Sequence, residues 1–583
     1  MRLLLQKWRY RLTIATCIVL IALLNIKYWD NIRLLDIPVY DEVTYASGAI
    51  PILQGDMKLP SITYSPLYSL FYLPFIIFLD RIDAIYFMAI LLQTLLSITI
   101  FLFLIRSNIN IWFSLSLALL IPVSYYQTYY VYNIYSVSAI SSQVYSFAVI
   151  VWMICLIAIS YRLYYIAFVF GILAILARQE YILSFIGLAV VLFLLLILHW
   201  RHKYLSTSLF RKLLSNYIIS RGLMSLQSLI FLPALFAIFL LIAISHPDDS
   251  SSRSMVAFCQ HYALAKEQYK ILSPDVSNPW MDCRKEIMRD FPGATTVLEA
   301  FLVNPEAFIN HLGRHVHFSN ILSNLIGMVR PLGYYENFTT AFIILCSYSL
   351  SLVLTTILLR SFRELLKQFV GFIQDNRNLF IVSSCGLFAT MPAFIIYIKS
   401  SYLLPSLPFF ALLAGGFITC AYKIVMAKIK LQWIRWSVHA LSVLPVGVLL
   451  IIYIFTPQIY LVRDKDYYQY ISTIRRIIMS NSDLRFSILP AFDSYNITYY
   501  VPHLTDTSTS SIYTSDVILL TPSRLSDVRV AEEEMSHTYV GFGMLVKPEH
   551  VPLIAEQIIS ILQESPPEGV LLSPDVQGIY LDF

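Results

Sequence analysis

Residues 84–105 read AIYFMAILLQTLLSITIFLFLI, twenty-two positions without a charged side chain. A bilayer hydrocarbon core of about 30 Å needs roughly 20 apolar residues in a helix. In lipid, only a helix or a closed barrel satisfies its own backbone N–H and C=O groups. This stretch is therefore expected to span a membrane. Comparable runs begin near Leu12, Ile111, Val137, Leu163, Tyr181, Leu226, Phe338, Leu379, Tyr402 and Ser437. The run from Leu163 to Ala177 is short. That of Leu12 to Trp29 lacks a small-residue cleavage site and reads as a retained span.

Composition agrees with the runs. The chain is 58% hydrophobic and 13% charged, with 40 Tyr and 37 Phe, and its mean hydropathy is +0.68. No single aqueous core accommodates that much apolar surface. The expected fold is an α-helical polytopic membrane protein. The net charge of +5 is spread over loops, with no basic stripe interleaved with aromatics, so nucleic acid is not an expected partner.

Lys and Arg set the expected orientation, because short cytoplasmic loops carry the excess. Arg2, Lys7, Arg9 and Arg11 place the N-terminus inside. Arg201, Lys203, Arg211, Lys212 and Arg221 mark one inside loop; Arg360, Arg363, Lys367 and Arg377 mark a second; Lys423, Lys428, Lys430 and Arg435 mark a third. Lys27 and Arg33 run against the rule. The polar segment 246–337 and the tail 457–583 then lie outside. With Arg106 and Arg162 inside, Leu67 to Leu79 must begin and end on one side; it reaches only about 20 Å. It reads as an interfacial or re-entrant helix, leaving about eleven spans. The whole divides into a membrane module, 1–456, with outer loops at 30–83 and 246–337, and an outer α/β domain at 457–583. In that domain Phe486–Leu489 and Val517–Leu520 read as strands and Val551–Leu562 as an amphipathic helix.

Within the outer loops lie the chemistry-bearing residues. Asp41 and Glu42 are adjacent acids just past the first span, in a chain with few carboxylates to spare. Cys259 and Cys283 share the large outer loop, where a disulfide is permitted. Their spacing, without a companion CxxC or clustered His, carries no zinc signature. His311 and His315 are four apart, next to Arg314, on one expected helical face. Six tyrosines, Tyr125, Tyr126, Tyr129, Tyr130, Tyr132 and Tyr135, form either an interfacial aromatic belt or a stacking platform for a sugar ring.

Four motifs in order carry a resemblance: Asp41-Glu42; Ser65-Pro66-Leu67-Tyr68; Ala177-Arg178-Gln179-Glu180; and Lys399-Ser-Ser-Tyr402-Leu-Leu-Pro405-Ser-Leu-Pro408. Across most of the membrane part the chain resembles the GT-C glycosyltransferases, and among them the dolichyl-phosphate-mannose-type protein mannosyltransferases and the bacterial lipid A aminoarabinose transferases. The resemblance implies a GT-C type fold. It also implies inverting transfer of a sugar from a polyprenyl-phosphate donor to a lipid, glycan or protein acceptor, at the outer face of a plasma or inner membrane. Asp41 would be the base that takes the acceptor's proton, with Glu42 orienting the acceptor or binding a metal. Arg178, Lys399, Arg314 and Tyr402 would contact the donor phosphate; Glu180, Gln143, Tyr64 and His311 would face substrate. An ion pair between Arg178 and Glu180 is the competing reading, at a spacing too close for good helical geometry.

Many relatives carry an acid in the second outer loop, where it helps hold a divalent ion. Residues 122–143 contain none here, and Gln143 stands roughly in its place. An amide is a poor Mg²⁺ or Mn²⁺ ligand beside a carboxylate, so catalysis resting on Arg and Lys is favoured over a metal cofactor. Two rival classes remain: a cell-envelope glycan polymerase or ligase resting on Arg314 and the histidines, and a lipid-linked glycan transporter or flippase. The second would need intramembrane charges, of which the runs carry hardly any.

Overall fold

The structure, a computed structural model, describes residues 2–27, 41–56, 65–126, 129–132, 135–138, 143–161, 163–188, 190, 250–276, 278–279, 282–327, 336–396, 400–455, 466–488, 499, 501, 515–519, 537–541 and 544–564. Helices dominate. α1 is Arg2–Lys27, α2 Asp41–Ser47, α3 Pro66–Phe78, α4 Arg81–Arg106 and α5 Ile111–Tyr126. A hairpin of β1, Tyr129–Tyr132, and β2, Tyr135–Ser138, precedes α6, Gln143–Ser160, and α7, Tyr164–Ala177. Beyond 250 come α8, Ser250–Gln268; α9, Cys283–Asp290; α10, Val297–Val303; α11, Pro305–His315; and α12, Phe318–Gly327. Then follow α13, Glu336–Leu358, α14, Phe362–Asp375, and α15, Arg377–Ile396, which is interrupted at Cys385 and Thr390. Last in this part are α16, Leu407–Lys428, and α17, Gln432–Phe455.

Among the described residues, six helices are long and apolar enough to cross a membrane: Tyr10–Lys27, Arg81–Arg106, Gln143–Ser160, Arg377–Ile396, Leu404–Lys428 and Gln432–Ile451. The runs expected at Ile111, Leu163 and Phe338 form helices whose apolar stretches are shorter, Ile111–Leu120, Ile166–Ala177 and Ile343–Leu358. The run near Leu226 lies outside the described residues. By length and composition this is a helical membrane protein.

One expected boundary is corrected. Val137 does not open a helix; it pairs with Tyr130 in the hairpin, and the helix starts at Gln143. Tyr and Val suit a pleated strand, and the Ser-Val-Ser alternation at 136–138 has period two. Apolar content alone could not separate the two.

Contacts at the helix ends define two rims. At one, Arg106 Nη2 donates to the Ser160 carbonyl at 2.8 Å, Asn110 N to Thr419 Oγ1 at 3.0 Å, and Lys428 meets Glu364 at 3.3 Å. α14 runs antiparallel beside α16, with Phe369 against Phe417 and Phe372 over Gly416. The opposite rim holds α2, α3, the starts of α4 and α6, the end of α7 and the turn before α16. There Gly386 of α15 lies so close to the Pro405 carbonyl that any side chain at 386 would collide with it. This approach fixes the 404–406 turn just beyond Tyr402.

Two further units sit on that second rim. In the first, α8 to α11 enclose Phe258, Tyr262, Ile287, Phe291 and Phe308, and the Cys259–Cys283 disulfide ties α8 to α9. Thr296 and Glu299 form a capping box at the start of α10, and Asn304 caps α11 ahead of Pro305. The second unit begins with α18, Asp466–Ser480, and ends with α19, Val551–Glu564. Between them β3, Phe486–Ile488, β4, Val517–Leu519, β5, Thr538–Gly541, and β6, Met544–Val546, form a sheet in the order β3-β4-β6-β5. β3 and β4 are parallel and the other pairs antiparallel. β3, β4 and β6 are buried throughout.

Candidate functional site

α7 ends at Arg178, whose extended backbone (φ −157°, ψ 126°) breaks the helix. Because residues 178–180 form a turn rather than a helix, the two-residue spacing lets Arg178 and Glu180 face one another. Nε donates to Oε2 at 3.1 Å and Nη2 to Oε1 at 2.6 Å. The expected poor geometry of this pair is thereby corrected: it is bidentate, the guanidinium's strongest mode. Arg178 Nη1 donates to the Tyr45 hydroxyl at 3.2 Å, and the guanidinium carbon lies 3.8 Å from the centroid of the Tyr145 ring, a cation–π stack.

The side chain of Arg178 is only 11% exposed. Burial alone would lower its pKa, but the Glu180 carboxylate and the Tyr145 and Tyr45 rings more than offset this and raise it, so the group stays cationic. An arginine has five N–H donors. Three are used in these contacts, which leaves two for an acceptor such as a phosphate oxygen.

Tyr45 belongs to α2, one helical turn after Asp41. α2 is seated by Val43 and Ala46, both buried, and by Ser69 of α3, which donates to the Tyr45 carbonyl at 2.9 Å. The backbone thus brings Asp41 within a turn of the residue that touches Arg178. The side chains of Asp41 and Glu42, and all of Tyr64 and Lys399, lie outside what the structure describes. From the other side, Tyr145 meets Tyr402 with ring centroids 5.6 Å apart, and Tyr402 meets His261 of α8 at 6.4 Å. Arg178, Glu180 and Tyr402 are therefore parts of one cluster. Tyr45, Tyr145 and His261 complete it and were not singled out from sequence; the four-residue step from Asp41 to Tyr45 was the signal that could have found the first.

Gln143, Arg314 and His311 are placed differently. Gln143 is fully buried, accepting from the Tyr68 hydroxyl at 3.3 Å and donating to the Ile85 carbonyl at 3.2 Å. Its amide works inside the protein, against its expected place facing substrate. His311, also fully buried, directs Nε2 at the Ile396 carbonyl at 3.0 Å, and His315 directs Nε2 at Phe394 O at 2.9 Å. These bonds fasten α11 to the end of α15. Burial, with His315 beside it, pushes the His311 imidazolium down to about 3, so the ring is neutral. Arg314 lies on the same helix; its Nη1, like His311 Nδ1, is buried without a hydrogen-bond partner among the described residues. No described contact joins it to Arg178.

Among the described residues no group of three or more His, Cys, Asp or Glu gathers as a metal would require, and Glu180 is already committed to Arg178. The unit formed by α8 to α11 instead holds an ion cluster, Lys266 with Glu286 and, at 2.8 Å, Asp290, which also accepts from Tyr262 at 2.6 Å.

Fold and site together define a helical membrane protein, by length and composition of its helices, with a stacked, ion-paired arginine at the rim where the two further units sit. Comparison with known protein families and with curated protein sequences finds no match for this chain.

Proposed function

We propose that the chain is a GT-C type glycosyltransferase of about eleven spans that moves a sugar from a polyprenyl-phosphate donor to a lipid, glycan or protein acceptor. The reaction takes place on the outer face of a plasma or inner membrane, with the N-terminus cytoplasmic. The observation that carries the reading is the Arg178 cluster: a cation with three of its five N–H donors used among the described residues, stacked on Tyr145 and bonded to the helix that begins at Asp41.

In the proposed reaction the acceptor oxygen attacks the anomeric carbon and its proton passes to the Asp41 carboxylate. The new C–O bond forms as the bond from that carbon to the phosphate oxygen breaks, and the electron pair leaves with the lipid phosphate. Arg178 meets the charge gained there, and electrostatic stabilisation of developing charge is a large catalytic term. The ring of Tyr402, set against Tyr145, would be the aromatic surface offered to the sugar. Glu180 holds the guanidinium plane, so the two remaining N–H groups point in fixed directions.

The rival reading, a glycan polymerase or ligase, draws on Arg314, whose buried Nη1 lacks a partner. Transfer from labelled polyprenyl-phosphate sugars in proteoliposomes separates the two. R178Q is expected to lose transfer by roughly 100-fold or more while R314Q keeps most of it. The reverse order of sensitivity would support the rival and overturn this reading.

A further inference from the structure

α3 reads PLYSLFYLPFIIF, and its three hydroxyl residues, Tyr68, Ser69 and Tyr72, are all fully buried. In such surroundings a hydroxyl without a partner is costly, and each of these is bonded to a different element. Tyr68 reaches Gln143 at the start of α6. Ser69 reaches the Tyr45 carbonyl of α2 at 2.9 Å. Tyr72 meets the hydroxyl of Tyr499, in the C-terminal domain, at 2.8 Å.

Tyr499 is itself 2% exposed and is gripped from a second side. Arg81, at the start of α4, lies 5.3 Å from its ring centroid and donates to its carbonyl. Beside it, Arg475 of α18 makes a fork on Asp80, 2.7 and 2.8 Å. The C-terminal domain is thus fixed to the α3–α4 corner. One face of α3 then links that corner to the helix carrying Asp41 and Tyr45.

We infer that the C-terminal domain positions α2 through α3, with Tyr499 and Tyr72 as positioning residues that hold Tyr45 against Arg178. The inference concerns geometry; only its catalytic consequence rests on the sugar-transfer reading. Coupling of this kind is demonstrated by a cycle of variants rather than by adjacency. The described path from Tyr499 to α2 runs through Tyr72 and Ser69 of α3.

The test uses the full-length protein with Cys346, the one exposed free thiol among the described residues, replaced by Ser. Ser47→Cys on α2 serves as the reporter, read by its rate of labelling with a membrane-impermeant maleimide. Y72F and Y499F are each expected to raise that rate roughly fivefold. The double variant is expected to match either single, and S69A to reproduce the effect. Unchanged labelling in Y72F and Y499F, or a double variant that multiplies the single effects, would overturn the inference. In the transfer assay both single variants are expected to lower kcat and leave the donor KM unchanged. The labelling response in Y72F and Y499F, together with no sugar transfer by the wild-type protein, would leave the positioning intact and remove the sugar-transfer reading.

Discussion

His311 illustrates how a conspicuous residue can serve the fold. From sequence, His311 and His315 stand on one expected helical face next to Arg314, and the resemblance has His311 face substrate. In the structure their Nε2 atoms face the carbonyls that end α15. The consequence is a pH dependence with a definite sign. The unfolded imidazole titrates near 6.5, the folded one at about 3, so between these values the unfolded state binds more protons. Stability is fully present above about 6.5 and falls as pH drops below it, by up to about 1.4 kcal/mol per pH unit. Thermal unfolding of the detergent-solubilised protein should show this loss between pH 7.5 and 5, and H311N should flatten it. An unchanged slope in that variant would contradict the assignment. Arg178 was singled out from sequence, and its bidentate pairing with Glu180 depends on a local break in the helix that residue type does not announce.

Among the elements, the unit formed by α8 to α11 depends on the Cys259–Cys283 bridge, which joins residues 24 apart. Closing a loop of that length stabilises by about 3 kcal/mol on the chain-entropy account. C259S with C283S should therefore lower the midpoint of thermal unfolding and make residues 250–316 cleavable by protease added outside. Protection equal to wild type would show that the packing of Phe258, Tyr262 and Phe291 suffices alone. The sequence permitted this bridge without requiring it, since spacing says nothing of Cα separation, here 5.4 Å. The strands at 486–488 and 517–519 and the helix from Val551 were readable from their periodicity. β5 and β6 were not, because Gly541 and Gly543 punctuate the stretch 538–546 and the β5 register is irregular between Tyr539 and Gly541. The helix expected from Val137 failed for a related reason: a tyrosine- and serine-rich hairpin beside an apolar helix is, by hydropathy, continuous with it.

For the molecule as a whole, contacts at the helix ends sort the chain into two faces. Asp80, paired with Arg475 of the C-terminal domain, and Asn108, in the turn beside Arg106, stand at opposite ends of α4. That helix of 26 residues is about 39 Å long. Single cysteines at 80 and 108 in sealed cells should label from outside and only after permeabilisation, respectively; labelling of both from one side would refute the two-faced arrangement. Hydropathy made the long apolar helices legible, because the bilayer's thickness acts on sequence directly. The convergence of α2, α6, α7, α8 and the turn at Tyr402 was not legible, since it depends on side-chain packing between segments up to several hundred residues apart.

The transfer mechanism itself is tested most directly with D41N in proteoliposomes, supplied with a labelled polyprenyl-phosphate sugar and followed through one turnover. An amide there keeps size and removes the base. Donor binding is expected to persist, while the rate of sugar transfer falls by roughly 100- to 10,000-fold. Transfer at the wild-type rate by D41N would contradict the account.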